Sequence, residues 1–160
     1  MDCLSAILAA RELLQDVTPL RQDCGRICGG ACCACDGDGQ GGMLLFPGEE
    51  KLYDPLPEGF EIQRDDAVME GAGLLICAGE CRRDQRPLSC RLFPLLPTRK
   101  GSKMDRRAWA VCPLMEWGKG GLSQEFVQAV KKAGEILYSC PECAAMLDAI
   151  HSFNDQLSQF

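Results

Sequence analysis

The residues of this chain best able to do chemistry are its twelve cysteines, set against a single histidine, His151. A metal site built from them must be made almost wholly of sulfur. One group runs Cys24-x3-Cys28-x3-Cys32-Cys33, followed by Cys35; a second is Cys77-x3-Cys81, then Cys90, with Cys112 further on. Close thiolates from separate loops are what a tetrahedral zinc site or a cubane iron–sulfur cluster requires, because no single short loop surrounds a metal. Both accept four thiolates, so zinc and a 4Fe-4S cluster stay open at this point. Gly25, Gly29 and Gly30 let backbone amides approach the sulfurs, where N–H···S contacts stabilise thiolate charge. Cys112 and Cys140 each precede a proline, a neighbour also found at ferredoxin cluster cysteines.

The first group, followed by the apolar run Met43–Phe46 and by Glu49 and Glu50, resembles the opening of the YkgJ-type cysteine-cluster family, described by its CxxCxxCC-like pattern and by zinc or iron chelation. A closer likeness lies in Cys81-Arg82-Arg83-Asp84-Gln85-Arg86-Pro87-Leu88-Ser89-Cys90-Arg91-Leu92-Phe93-Pro94: a cysteine, a short spacer, Arg-Pro, then Cys-Arg, an aromatic and proline. Cys77 and Cys112-Pro113 are similar to the family pattern as well. The resemblance spans about residues 24–113 and implies metal ligands at Cys24, Cys28, one or both of Cys32 and Cys33, Cys77, Cys81, Cys90 and Cys112. It implies no reaction and no catalytic residue. Cys3, Cys35, Cys140 and Cys143 fall outside it.

Other motifs yield to blander readings. An enzyme that splits S-adenosylmethionine would show C-x3-C-x2-C at the start of a long barrel; here the second spacer is three residues and the chain is short. Asp36-Gly37-Asp38-Gly39-Gln40-Gly41 begins like a calcium loop, but Pro47 stands where the bidentate glutamate belongs. Cys140-x2-Cys143 at a helix start suits a redox pair, half of a metal site, or two buried small residues, and burial is the expectation. Cys3 is expected to pack within an amphipathic helix, and His151 receives no role.

Charge is uneven. Residues 82–107 carry nine Lys/Arg and two acids, +7, while the rest carries eight bases and 21 acids, −13. This segment either offsets the negative charge of bound thiolates or docks an acidic protein partner, with compensation preferred. The overall charge of −6 argues against nucleic acid.

The elements that must position these residues follow from periodicity. Leu4, Ile7, Leu8, Leu14 and Val17 recur at helical spacing over about residues 3–16, interrupted by Arg11, Glu12 and Asp16. That pattern predicts a core-packing helix and not an export signal. No run approaches the ~20 apolar residues of a membrane span. A cytoplasmic location follows as an expectation, with thiols reduced and available to metal. The stretch 24–42 holds five cysteines and seven glycines, a loop composition. Short strands are predicted at 43–46 and around 73–77, and one helical turn around Glu49–Tyr53. Ser123 can open a helix through Phe126, Val127, Val130, Ala133 and Leu137. Pro141 then starts another through Met146, Leu147, Ile150, Phe153 and Leu157.

The expected architecture is a single small α+β or irregular metal-stabilised domain over 1–160. An N-terminal helix precedes a cysteine-cluster core at about 24–113, and an αα-hairpin at about 123–158 closes it. The expected function is metal binding without catalysis, the alternative being an iron–sulfur oxidoreductase or a cluster-dependent modifying enzyme.

Overall fold

Asp2 opens helix α1 (Cys3–Leu13): its carboxylate accepts the Ser5 amide at 2.8 Å, and this fixes Cys3 in the first turn. The structure is a computed structural model that describes residues 2–17, 42–76, 83–105 and 122–157. Ala6, Ile7, Ala10 and Leu14 are buried, three and four residues apart, on one face of α1. The predicted strands are present as β1 (Met43–Leu44) and β3 (Ala72–Ile76), with β2 (Glu61–Asp65) between them in sequence. The sheet order is β1-β3-β2, antiparallel throughout, with Leu44 opposite Leu74 and Ile62 opposite Leu75. Glu49–Tyr53 forms the expected turn as a 3-10 helix, entered through Gly48 at φ +91°, a left-handed conformation open to glycine.

A short helix α2 (Leu88–Leu92) leads into the antiparallel ribbon β4 (Leu95–Thr98) and β5 (Gly101–Met104). The two C-terminal helices are α3 (Gln124–Tyr138) and α4 (Pro141–Leu157). Ser123 stands at the α3 N-cap with its backbone carbonyl accepting the Val127 amide at 3.0 Å, while its hydroxyl makes no capping bond. Phe126, Ala129, Val130, Ala133, Gly134 and Leu137 form the buried stripe of α3. The fold is thus a small α+β arrangement with a helix at the N-terminus, short antiparallel strands and two helices at the C-terminus.

One main core joins α1, β1, α2, β4, α3 and α4 through Ile7, Leu44, Leu88, Leu95, Phe126, Val130, Leu137, Met146, Leu147 and Ile150. Helix α1 lies against α3, and α3 crosses the β4–β5 ribbon. That crossing is close: a Cβ added to Gly134 would stand 2.8 Å from Pro97 Cβ. A smaller cluster of Leu45, Tyr53 and Leu75 sits on the three-stranded sheet with Phe60 and Ile62 packed against it.

Polar anchors pin the segment that carries the Arg86-Pro87 motif. Glu49 is fully buried and accepts three hydrogen bonds, from the Phe46 amide at 3.1 Å, the Leu88 amide at 2.7 Å and the Arg11 guanidinium at 2.9 Å. Its carboxylate therefore satisfies the buried first amide of α2 from the 3-10 turn Glu49–Tyr53. The Tyr53 hydroxyl donates to the Gln85 carbonyl at 2.7 Å, and the Ser89 hydroxyl to the Leu44 carbonyl at 2.6 Å. Arg91 donates to the carbonyls of Arg86 at 2.9 Å, Arg11 at 3.2 Å and Asp84 at 3.4 Å, and to the Gln15 side chain.

Candidate metal centre

The two-residue connection Ser139-Cys140 decides where the last two cysteines lie. The α3 chain ends with the Cys140 amide bonded to the Leu137 carbonyl at 3.1 Å. The Cys140 carbonyl then accepts the Ala144 amide at 2.9 Å, the first bond of the next helix. Cys140 therefore occupies the position just before α4, and Cys143 lies in its first turn. Both side chains are buried, at 1% and 0% exposure. Packing of α1 on α3 brings the first turn of α1 to the same corner, and with it Cys3.

The Sγ atoms of Cys3, Cys140 and Cys143 all lie within 4.8 Å of one another, a group able to hold a metal ion. The Cys3 and Cys140 sulfurs are 2.8 Å apart. Glu142, between the two α4 cysteines, accepts from Cys3 Sγ at 3.2 Å and from Cys140 Sγ at 3.3 Å through the same Oε2. Two helix N-termini meet here, and their partial positive charge favours the negative charge of the Glu142 carboxylate.

Without a metal the thiols of Cys3 and Cys143 are held protonated. Partial burial, then the neighbouring Cys140 thiol and the Glu142 carboxylate, push the Cys3 thiol up to about 12. Burial raises Cys143 as well, reinforced by its hydrogen bond with Cys140. Glu142 moves the other way: the thiol of Cys3 donating to it holds its carboxyl below the usual glutamate value. A divalent ion would reverse this balance by taking the sulfurs as thiolates.

Of the ligands implied by the resemblance, Cys90 lies in α2 and is half-buried. Cys24, Cys28, Cys32, Cys33, Cys77, Cys81 and Cys112 lie outside the described residues, as does Cys35. The expected burial of Cys140 and Cys143 and the packing of Cys3 against the core are both present. Their convergence is what sequence reasoning missed. The Cys140-x2-Cys143 pair was visible as half of a site; nothing local linked it to Cys3, 137 positions away.

Part of the basic segment is engaged within the chain. Arg91 serves the carbonyls named above, and Arg99 pairs with Asp148 of α4 at 2.8 Å while its guanidinium lies 4.6 Å from the centre of the Tyr138 ring. His151 contacts the Pro97 carbonyl at 2.8 Å through Nε2, so its ring has a partner within the fold. Among the described residues no helix is long and apolar enough to cross a membrane.

No protein-family model, curated protein or solved structure matches this chain.

Proposed function

We propose that this is a metal-binding protein whose clustered cysteine thiolates hold zinc or an iron–sulfur cluster. The observation that carries the reading is the convergence of Cys3, Cys140 and Cys143, three sulfurs within 4.8 Å of one another at the meeting of two helix N-termini. Three thiolates at that separation form a donor set that soft and borderline metals favour. The likeness of residues 24–113 to the YkgJ-type cysteine-cluster family supports further ligands at Cys24, Cys28, one or both of Cys32 and Cys33, Cys77, Cys81, Cys90 and Cys112. The half-buried position of Cys90, on a helix pinned by Glu49 and Arg91, suits a ligand held ready for metal. Such thiols need a reducing compartment to stay available.

The test is anaerobic purification followed by metal and acid-labile sulfide analysis and visible absorption. The expected result is at least one tightly held metal or cluster per chain. Complete alkylation of all twelve cysteines in the native protein, or their pairing as disulfides, would overturn the reading.

A further inference from the structure

The three sulfurs stand at a separation that discriminates between the two kinds of metal group. A cubane cluster gives each thiolate its own iron and so spreads the cysteine sulfurs around the cube. A single zinc ion, with Zn–S near 2.3 Å, draws its sulfurs to about 3.8 Å from one another in a tetrahedron. Cys3, Cys140 and Cys143 lie within 4.8 Å of one another, close enough to share one ion once the Cys3 and Cys140 sulfurs, 2.8 Å apart in this structure, open to about 3.8 Å.

A fourth donor is already at the rim. With Zn–O near 2.0 Å, a carboxylate oxygen on the same ion would sit about 3.5 Å from each sulfur. Glu142 Oε2 is 3.2 Å from Cys3 Sγ and 3.3 Å from Cys140 Sγ. Glu142 is exposed in the first turn of α4, whereas Cys140 and Cys143 are buried beneath it. Glu142 thus reaches the sulfur group from the solvent side, with its Oε2 turned toward Cys3 and Cys140. Oxygen is also a weaker partner than thiolate for a thiophilic ion.

Resting on the metal-binding reading above, we infer that Cys3, Cys140 and Cys143 with the Glu142 carboxylate form a mononuclear site for a thiophilic divalent ion, zinc fitting best, and that Glu142 is its exchangeable ligand. The three sulfurs anchor the ion from below. The carboxylate swings away at the surface to let an incoming thiol or chelator take the fourth position. The site therefore loads and releases its ion through Glu142 without unfolding the helices that carry the sulfurs.

The probe is cobalt(II), added anaerobically to the metal-free full-length protein. Subtracting the spectrum of a Cys143→Ala variant isolates this site from the other cysteines, and Cys3→Ala, at a half-buried position, repeats the subtraction should the first variant fold poorly. The expected difference spectrum has tetrahedral d–d bands and thiolate charge-transfer absorption, with no acid-labile sulfide. Glu142→Gln should shift the d–d bands and speed release to a chelator roughly tenfold or more, the least that losing even an outer-shell partner costs. Glu142→Cys should slow release and raise the charge-transfer intensity by about a third, as three thiolates become four. Unchanged spectra and release rates in both Glu142 variants would overturn the role of Glu142 while leaving metal binding by the cysteines intact. Sulfide and iron that disappear with Cys143→Ala would overturn the mononuclear assignment. Identical cobalt spectra for the wild type, Cys143→Ala and Cys3→Ala would overturn metal binding at this group altogether.

Discussion

Cys3 and Cys140 are separated by 137 positions in sequence, yet their sulfurs are 2.8 Å apart. A metal shared between them ties the first helix to the last and closes nearly the whole chain into one loop, which the unfolded chain resists on entropic grounds. Zinc should therefore raise the thermal midpoint of the metal-free protein. At a free concentration one hundred times its Kd the gain is about 2.7 kcal/mol. Cys3→Ser should shrink that response by the share of this site and lower the metal content. A packing role alone would instead leave the zinc response in place and cost only the ~1–3 kcal/mol of a small core change. Differential scanning fluorimetry with and without zinc separates the two.

The protonation of the same corner gives a pH dependence. Cys3 has an ordinary thiol value of 9.0 and stands at about 12 in the folded protein. Its protonated form is thus favoured by folding, so this contribution is complete below about pH 9 and is lost as pH rises toward 12. The metal-free protein should lose stability across that window, followed by urea midpoints. Zinc binding runs oppositely in protons: it releases them, so affinity should fall as pH is lowered. Titration calorimetry in buffers of different ionisation enthalpy counts the protons released.

Glu49 and Arg11 make a buried ion pair at 2.9 Å, with the Glu49 side chain fully buried and that of Arg11 12% exposed. Glu49→Ala removes the acceptor of two backbone amides and strands the guanidinium, and should cost about 3–5 kcal/mol in denaturant unfolding. Burial already pushes the Glu49 carboxyl above the usual glutamate value, against the pull of the Leu88 and Phe46 amides and of Arg11. In Arg11→Met the pull of Arg11 is gone and the carboxyl takes up a proton more readily. That raised folded value makes its contribution largest in acid, so Arg11→Met should lose stability as pH rises toward neutral.

Gly134 lies within α3 where the helix crosses β4. Alanine is the better helix former there by about 1 kcal/mol. Yet its Cβ would stand 2.8 Å from Pro97 Cβ, on a ring fixed in the strand. Overpacking costs of ~1–3 kcal/mol should win, so Gly134→Ala should lower the thermal midpoint.

Local pattern was enough for α1, α3 and α4, but not for the five-residue α2. The stripe Phe126, Val130, Ala133 and Leu137, and the proline at the first position of α4, are signals a few residues long, and each states which face an element buries. Strands β1 and β3 were visible as apolar runs for the same reason. Strand β2 was not, because Glu61, Gln63, Arg64 and Asp65 give it little apolar pattern; its extended form comes from pairing along β3 at the sheet edge. Nor was β5, which exists as a strand through its register with β4, Leu95 opposite Met104.

The candidate site divides along the same line. Cys140 and Cys143, three apart at a helix start, were legible as a pair. Their partner was not, since Cys3 reaches them only after α1 has packed on α3 and the Ser139-Cys140 connection has turned the chain into α4. The sequence by itself determined that thiols stand in the first turns of two helices. Only the tertiary structure decided that those first turns meet, because periodicity encodes which side of a helix is buried and carries no record of what that side is buried against.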